Sequence, residues 1–406
     1  MQEKRFQNRI TLFTFALTIL VIWVHSVNLE PDMLNSAGLS ALERQNFYPA
    51  ALFLERFLTE LIGQMAVPGF FIVSAYLFFR NAPAQLSARW IAGKWKRRLF
   101  SVLLPYLIWN GLFYLGRIAA FAVSGSRLLP AAFEEATAVP VDAASVFSAV
   151  FLYAYNPVFW YLKQLIILIA LSPVIWFLLK KCRQGTTILI LSLLAAGFWE
   201  WIPVHVVNED ALFYFMLGSY GALHGRDFLE LWEEKRSGRI FYFTVFVLLC
   251  SMGERVICSV FPQLIPEILR GTAAAALFTV LMRASFSVFF LLLILRCSER
   301  KKEAQKNRNS LRSFLERDRL PAFMQINFFI YATHYIPVRA INRGALSLLG
   351  TALSGGGGSV QAVSALCLLL LIYLLLPVIC TLLAWLFSMI LKSNFPAVWR
   401  ALSGGR

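Results

Sequence analysis

Two histidines set in apolar helices are the residues best suited to chemistry in this chain. Residues 9–25 read Arg-Ile-Thr-Leu-Phe-Thr-Phe-Ala-Leu-Thr-Ile-Leu-Val-Ile-Trp-Val-His. Within them Thr11, Thr14, Thr18 and His25 are spaced 3, 4 and 7 residues apart. At roughly 100° per residue they share one helix face. Farther along, Asn327, Tyr331 and His334 repeat the pattern at spacings of 4 and 3, with Pro337 following, where a kink frees backbone carbonyls. An imidazole changes charge near neutral pH and can take a proton from a hydroxyl. An ionisable residue at membrane depth is a functional candidate by default. Each stripe also has a plainer reading. His25 can snorkel at a helix end, and the second stripe can serve as inter-helix hydrogen bonding.

Three cationic positions could complement the histidines. Arg283 falls near the middle of the apolar run 277–295, where insertion of a charge costs about 2.5–3.5 kcal/mol. It should point inward, toward an anionic ligand or a carboxylate such as Glu60 or Glu254. Lys163, beside Trp160, is nearer the end of its run and can snorkel. The segment Arg89-Trp-Ile-Ala-Gly-Lys-Trp-Lys-Arg-Arg ends in Arg97 and Arg98. It reads as an interfacial anchor or as a phosphate contact for a cytosolic cofactor.

Long apolar helices must carry these groups. The 406 residues are 59% hydrophobic and 15% charged, against about 25% charged in soluble domains. Apolar runs near 20 residues recur throughout, so the expected fold is all-α and polytopic. Ten transmembrane helices are expected, at about 10–29, 57–79, 100–123, 159–179, 187–204, 210–224, 239–260, 271–296, 321–348 and 361–391. They form one integral membrane domain over 1–406, with a core of about 8–391 and a short cytoplasmic tail, 392–406. Connections assigned inside hold 28 of the 38 Lys and Arg, those outside 8. That bias predicts N-in and C-in termini. It also accounts for the net charge of +16 without nucleic acid.

The first helix has the basic flank of a signal peptide but no small-residue cleavage site, so it is expected to be retained. Residues 145–155 suggest an amphipathic or re-entrant piece, and 296–319 a basic linker or interfacial helix against anionic lipid. The six cysteines show no metal spacing, so neither a disulfide framework nor a metal site is expected. No Walker loop, Rossmann glycine pattern, GxSxG elbow or His-Glu-x-x-His is present. His205 and His224 lack obvious partners and read as surface residues.

Several short motifs, taken in order, resemble the bacterial membrane acyltransferase-3 family. They are Val21-Ile-Trp-Val-His-Ser, Ala66-Val-Pro-Gly-Phe-Phe-Ile-Val-Ser-Ala-Tyr-Leu-Phe, Lys96-Arg-Arg-Leu with Leu104-Pro-Tyr-Leu-Ile-Trp, and Phe159-Trp-Tyr-Leu-Lys-Gln-Leu with Ser172-Pro. Phe213-Tyr-Phe-Met-Leu-Gly and Ile330-Tyr-Ala-Thr-His complete the set. There are two departures. Thr14 stands where the family usually has an Arg eleven residues before the first-span His, and Ala75 replaces a Gly after Ser74.

The resemblance implies an integral membrane O-acyltransferase of the bacterial cytoplasmic membrane. Such a protein moves an acetyl or other short acyl group from acyl-CoA, acetyl-CoA first, to a hydroxyl of a surface glycan or lipid-linked precursor. His25 and His334 would be catalytic. Thr14, Thr18, Asn327, Tyr331, Trp160, Lys163, Arg97, Arg98 and Arg283 would bind substrate or donor, with Arg283 taking over part of the work of the missing Arg. The partners implied are acyl-CoA, the glycan acceptor and the bilayer, and a homo-oligomer is compatible with the sequence. The rival reading is an exporter or flippase of a glycan or lipid intermediate, which would use the polar stripes as a path. A non-catalytic membrane partner is a second rival.

Overall fold

The structure, a computed structural model, describes residues 2–122, 139–198, 207–225, 241–249, 273–299, 314–315, 317–354 and 358–405. The described residues form helices and connections, with no strand among them. The main helices are α1 (Gln2–His25), α2 (Tyr48–Arg56), α3 (Ala66–Phe79), α4 (Ala88–Arg98), α5 (Leu104–Ala122) and α6 (Ala143–Leu152). They continue as α7 (Trp160–Ala170), α8 (Ser172–Leu179), α9 (Cys182–Phe198), α10 (Glu209–His224) and α11 (Ala273–Glu299). The last four are α12 (Asn327–Thr333), α13 (Tyr335–Leu353), α14 (Ser359–Asn394) and α15 (Pro396–Ser403).

Among the described residues, five stretches are long and apolar enough to cross a bilayer: Phe6–His25, Tyr48–Phe79, Ala88–Ala122, Ala275–Ile294 and Ser359–Asn394. Ala143–Leu152 with Pro157–Ala170, bent by 51°, makes a sixth if the pair is one span. This is a multi-pass helical protein. The run expected at 210–224 forms α10, whose 16 residues reach about 24 Å, short of a hydrocarbon core of about 30 Å. The run at 321–348 is divided at His334 into α12 and α13, and α13 carries Arg339, Asn342 and Arg343. Most of the run expected at 239–260 lies outside the described residues, as do Glu254, His205 and most of 296–319.

The chain divides into two compact units. The first comprises Met1–Leu17, Met65–Arg98 and Gln164–Pro321. Its centre is the crossing of α3 and α10, where a Cβ on Gly218 would lie 2.2 Å from the Ile72 carbonyl oxygen. Only a residue without a side chain lets the two backbones approach this closely. The N-terminal end of α1 is held by Arg80, whose guanidinium grips the Glu3 carboxylate at 2.9–3.1 Å. Asn8 donates to the Leu315 and Arg317 carbonyls. No side chain of α4 is buried. It rests on its neighbours through Lys94, which donates to the Phe78 carbonyl, and through the Trp95 indole, which donates to that of Ile169. His224, read as a surface residue, is half-buried and bonds the Leu179 carbonyl.

The second unit comprises Thr18–Gln64, Leu99–Lys163 and Ala322–Arg406. One apolar cluster joins Leu29, Leu34, Leu39 and Leu42 to Leu346, Leu366 and Leu369. Residues 26–47 are therefore folded against α13 and α14. The piece expected at 145–155, amphipathic or re-entrant, takes shape as α6, anchored along α5. The Tyr106 hydroxyl donates to the Phe151 carbonyl and Asn110 to that of Val150. Tyr153 ends α6 at φ 52°, and Asn156 returns a bond to Asn110. At the C-terminal end α15 lies back on α5, with the Trp109 indole donating to the Leu402 carbonyl. Gly404 closes it at φ 70°, too near the Ser101 carbonyl for any side chain.

Candidate active site

His25 is the last residue of α1 and is half-buried. His334 stands at the break between α12 and α13 and is 1% exposed. Its backbone stays helical, at φ −62° and ψ −30°. The missing N–H of Pro337 removes the bond that the Thr333 carbonyl would otherwise accept, which loosens this turn. Both histidines belong to the second unit, and their ring centroids are 5.4 Å apart with planes tilted by 42°. Tyr335 meets the His25 ring edge-on at 5.8 Å.

The tautomer of His334 follows from its hydrogen bond. Nδ1 lies 2.6 Å from the Tyr331 carbonyl oxygen. A carbonyl only accepts, so Nδ1 carries the proton and Nε2 keeps its lone pair. Nε2 is buried without a hydrogen-bond partner among the described residues. A buried acceptor left unmatched costs about 1–3 kcal/mol, so it marks a place where a donor is expected.

An aromatic wall holds Tyr331, whose carbonyl sets that tautomer. Its ring stacks on Phe159 at 5.9 Å, Tyr161 meets it edge-on at 6.0 Å, and its hydroxyl donates to the Val158 carbonyl. Trp160 is half-buried at the start of α7. Lys163 sits one turn on, its ammonium 5.2 Å from the Tyr153 ring centroid. Thr18 is fully buried, and Asn327 opens α12 two turns before His334.

Thr14, Arg97, Arg98 and Arg283 belong to the first unit. The Thr14 hydroxyl donates back to the Ile10 and Thr11 carbonyls of its own helix. Arg97 is exposed and Arg98 half-buried at the end of α4. Arg283 lies 3.7 Å from Asp210, a carboxylate other than the two expected from sequence, of which Glu254 lies outside the described residues. Asp210 stands in the polar first turn of α10, and nothing local ties it to Arg283, which is central in its own apolar run.

Three further residues escaped the sequence reading. Arg9 reads as a basic flank, yet it is 1% exposed. It lines an otherwise apolar cavity of about 140 Å³ with Phe6, Ile72, Tyr76, Gly221 and Leu291. The expected span begins near residue 10, whereas α1 starts at Gln2 and so puts Arg9 two turns inside the helix. Arg339 counts by sequence as an outer-end charge. In the fold its guanidinium carbon lies 5.8 Å from the ring centroid of Tyr335, the residue packed on His25. Glu55 is fully buried, and no local pattern announces it.

These features describe a multi-pass helical membrane protein with two histidines brought together from distant parts of the chain. The acyltransferase domain family matches residues 15–389, and the chain belongs to it, as a member of the membrane acyltransferase-3 group. It is also 30% identical over 176 residues to the succinoglycan biosynthesis protein ExoH of Rhizobium meliloti (strain 1021). That match covers 42% of this chain and 44% of the relative, so it spans less than half the length of each. No solved structure matches.

Proposed function

We propose that this protein is a membrane O-acyltransferase that moves an acetyl or other short acyl group from acyl-CoA to a hydroxyl of a cell-surface glycan or its lipid-linked precursor. The observation that carries this reading is the pair of imidazoles 5.4 Å apart, one with a buried lone pair on Nε2. The family membership supports acyl transfer, and a relative named for succinoglycan biosynthesis supports a glycan acceptor.

In the proposed reaction the acceptor hydroxyl oxygen bonds to the thioester carbonyl carbon. The hydroxyl proton passes to His25, directly or through His334 Nε2. The carbon–sulfur bond then breaks, and the CoA thiolate leaves with that proton. Arg339 offsets negative charge developing on the carbonyl oxygen. Thr18, Asn327, Tyr331, Trp160 and Lys163 line the approach of the acceptor. Arg97 and Arg98 contact donor phosphates at the cytoplasmic face, with Thr14 and Arg283 on the donor side. This arrangement goes with ten spans and both termini inside the bacterial cytoplasmic membrane, the orientation favoured by the Lys and Arg bias.

The test uses purified protein in proteoliposomes given acetyl-CoA and a glycan acceptor, with thiol release as the readout. The wild type is expected to consume thioester and His25→Ala to lose that activity. Glycan movement without thiol release would mean an exporter instead.

A further inference from the structure

The chain that leaves α1 after His25 does not run into solvent. Ser26, Asn28 and Leu29 are fully buried. Backbone groups beyond a helix end lack intrahelical partners and must find others. Here two amides share one carboxylate: Asn28 N–H donates to Glu55 Oε2 and Leu29 N–H to Glu55 Oε1, each at 3.1 Å. The Asn28 side chain donates to Asn342 Oδ1 and to the Leu369 carbonyl. Asn342 in turn donates to the Ser26 carbonyl at 2.8 Å. The Tyr48 hydroxyl donates to the Leu29 carbonyl. Tyr373 donates to the Glu55 backbone carbonyl and pairs with the Thr59 hydroxyl, so the helix that presents Glu55 is itself held.

Burying a carboxylate is expensive unless its charge is met by good hydrogen bonds. A glycine after the last turn would end α1 more cheaply. The carboxylate adds something a glycine cannot, a fixed join between α1 and α2. Asn342 adds the join to α13. That helix begins directly after His334, eight residues or about 12 Å before Asn342, and its first residue is the Tyr335 packed on His25.

Resting on the proposed role of His25, we infer that Glu55 is a positioning residue: its carboxylate, together with Asn28 and Asn342, clamps the exit of α1 and so keeps His25 against His334. Glu55 does not touch substrate. It acts through the histidine.

Glu55→Gln keeps the shape but leaves one oxygen to accept where two amides donate. It should lower kcat about tenfold, with the donor and acceptor KM and the detergent-extracted Tm close to wild type. Glu55→Asp should recover part of the loss. Placed in a His25→Ala background, Glu55→Gln should not change the residual rate, since positioning has no effect on a missing group. Tyr48→Phe, a milder loosening of the same exit, should lower kcat in the same direction by a smaller factor.

Hydrogen exchange of the peptide covering residues 26–29, measured without substrate, should speed up in Glu55→Gln while peptides of α14 stay protected. That measurement does not depend on acyl transfer, so it separates failure of the clamp from failure of the functional reading. Wild-type kcat in Glu55→Gln, or unchanged exchange at 26–29, overturns the proposal. So does an equal fall in rate with and without His25, which would make Glu55 a stability residue only.

Discussion

The His334 ring is 5.4 Å from the His25 ring, although 309 positions separate the two in sequence. The Tyr331 carbonyl sets which His334 nitrogen carries the proton. The site therefore pairs a half-buried imidazole with a fully buried one of defined tautomer. Two substitutions should separate them. His25→Ala should lower turnover by about 10²–10⁴-fold, the contribution of a positioned base, with expression and detergent-extracted stability near wild type. His334→Asn, which keeps a polar group of similar reach, should also lower kcat. If His25→Ala retains more than about a tenth of wild-type turnover, another group is the base.

Arg283 and Asp210 form an ion pair at 3.7 Å, each side chain about 30% exposed. If Arg283 also meets the acyl donor, Arg283→Gln should raise the acyl-CoA KM several-fold, and Asp210→Asn should leave it unchanged or lower it. Adding Thr14→Arg to Arg283→Gln should recover part of the loss. Equal effects of the two single substitutions, confined to stability, would assign the pair to structure alone.

Gly218 should tolerate no side chain. A methyl group there meets the Ile72 carbonyl oxygen at 2.2 Å, and that oxygen belongs to a helix backbone that cannot turn aside. Gly218→Ala should cost about 1–3 kcal/mol, the usual penalty for overpacking. A thermal melt in detergent reads this out, and Gly221→Ala serves as the control. A Cβ at Gly221 meets nothing within 4 Å, so that variant should melt close to wild type.

Glu30 accepts from Nε and one Nη of the Arg56 guanidinium, at 2.9 and 2.7 Å. That hydrogen-bonded contact holds its carboxyl below the ordinary value of 4.5, against the opposing effect of partial burial. The folded pKa is depressed, so the pair's contribution is complete above about pH 4.5. It fades as pH falls through the lower folded value. The Tm gap between wild type and Glu30→Gln should be constant from pH 8 to pH 5 and close below pH 4.5. A gap that widens in acid would contradict this assignment. The pair is partly exposed, so the effect should be small and weaker in high salt.

Topology can be read independently of activity. A cysteine replacing Gly356 should react with an impermeant reagent from outside the cell. One replacing Asn307 should react only after the membrane is opened. Reaction of both from the same side would break the ten-span topology, because a single span, 321–348, is expected between the two positions.

Residue types and their periods were enough to expect a helical membrane protein with His25 and His334 on polar stripes. Apolar runs declare helices in lipid because every backbone polar group must be satisfied within the segment. An ionisable ring in such a run is conspicuous because it costs energy to put it there. The family motifs were legible for the same reason, since each is a few adjacent residues. What sequence could not show was pairing between segments hundreds of residues apart. Arg9 looked like an ordinary basic flank, but burial depends on what packs around it, and the α3 and α10 residues that line its cavity lie far along the chain. Glu55 was one acid near the start of an apolar run. It became a clamp only when residues 26–29 folded back and presented two amides to one carboxylate. Arg283 found Asp210 although the two stand on helices far apart in sequence, α10 and α11. Helix positions are local properties of the chain, whereas hydrogen bonds and ion pairs across helices depend on packing, and only the tertiary structure decides that.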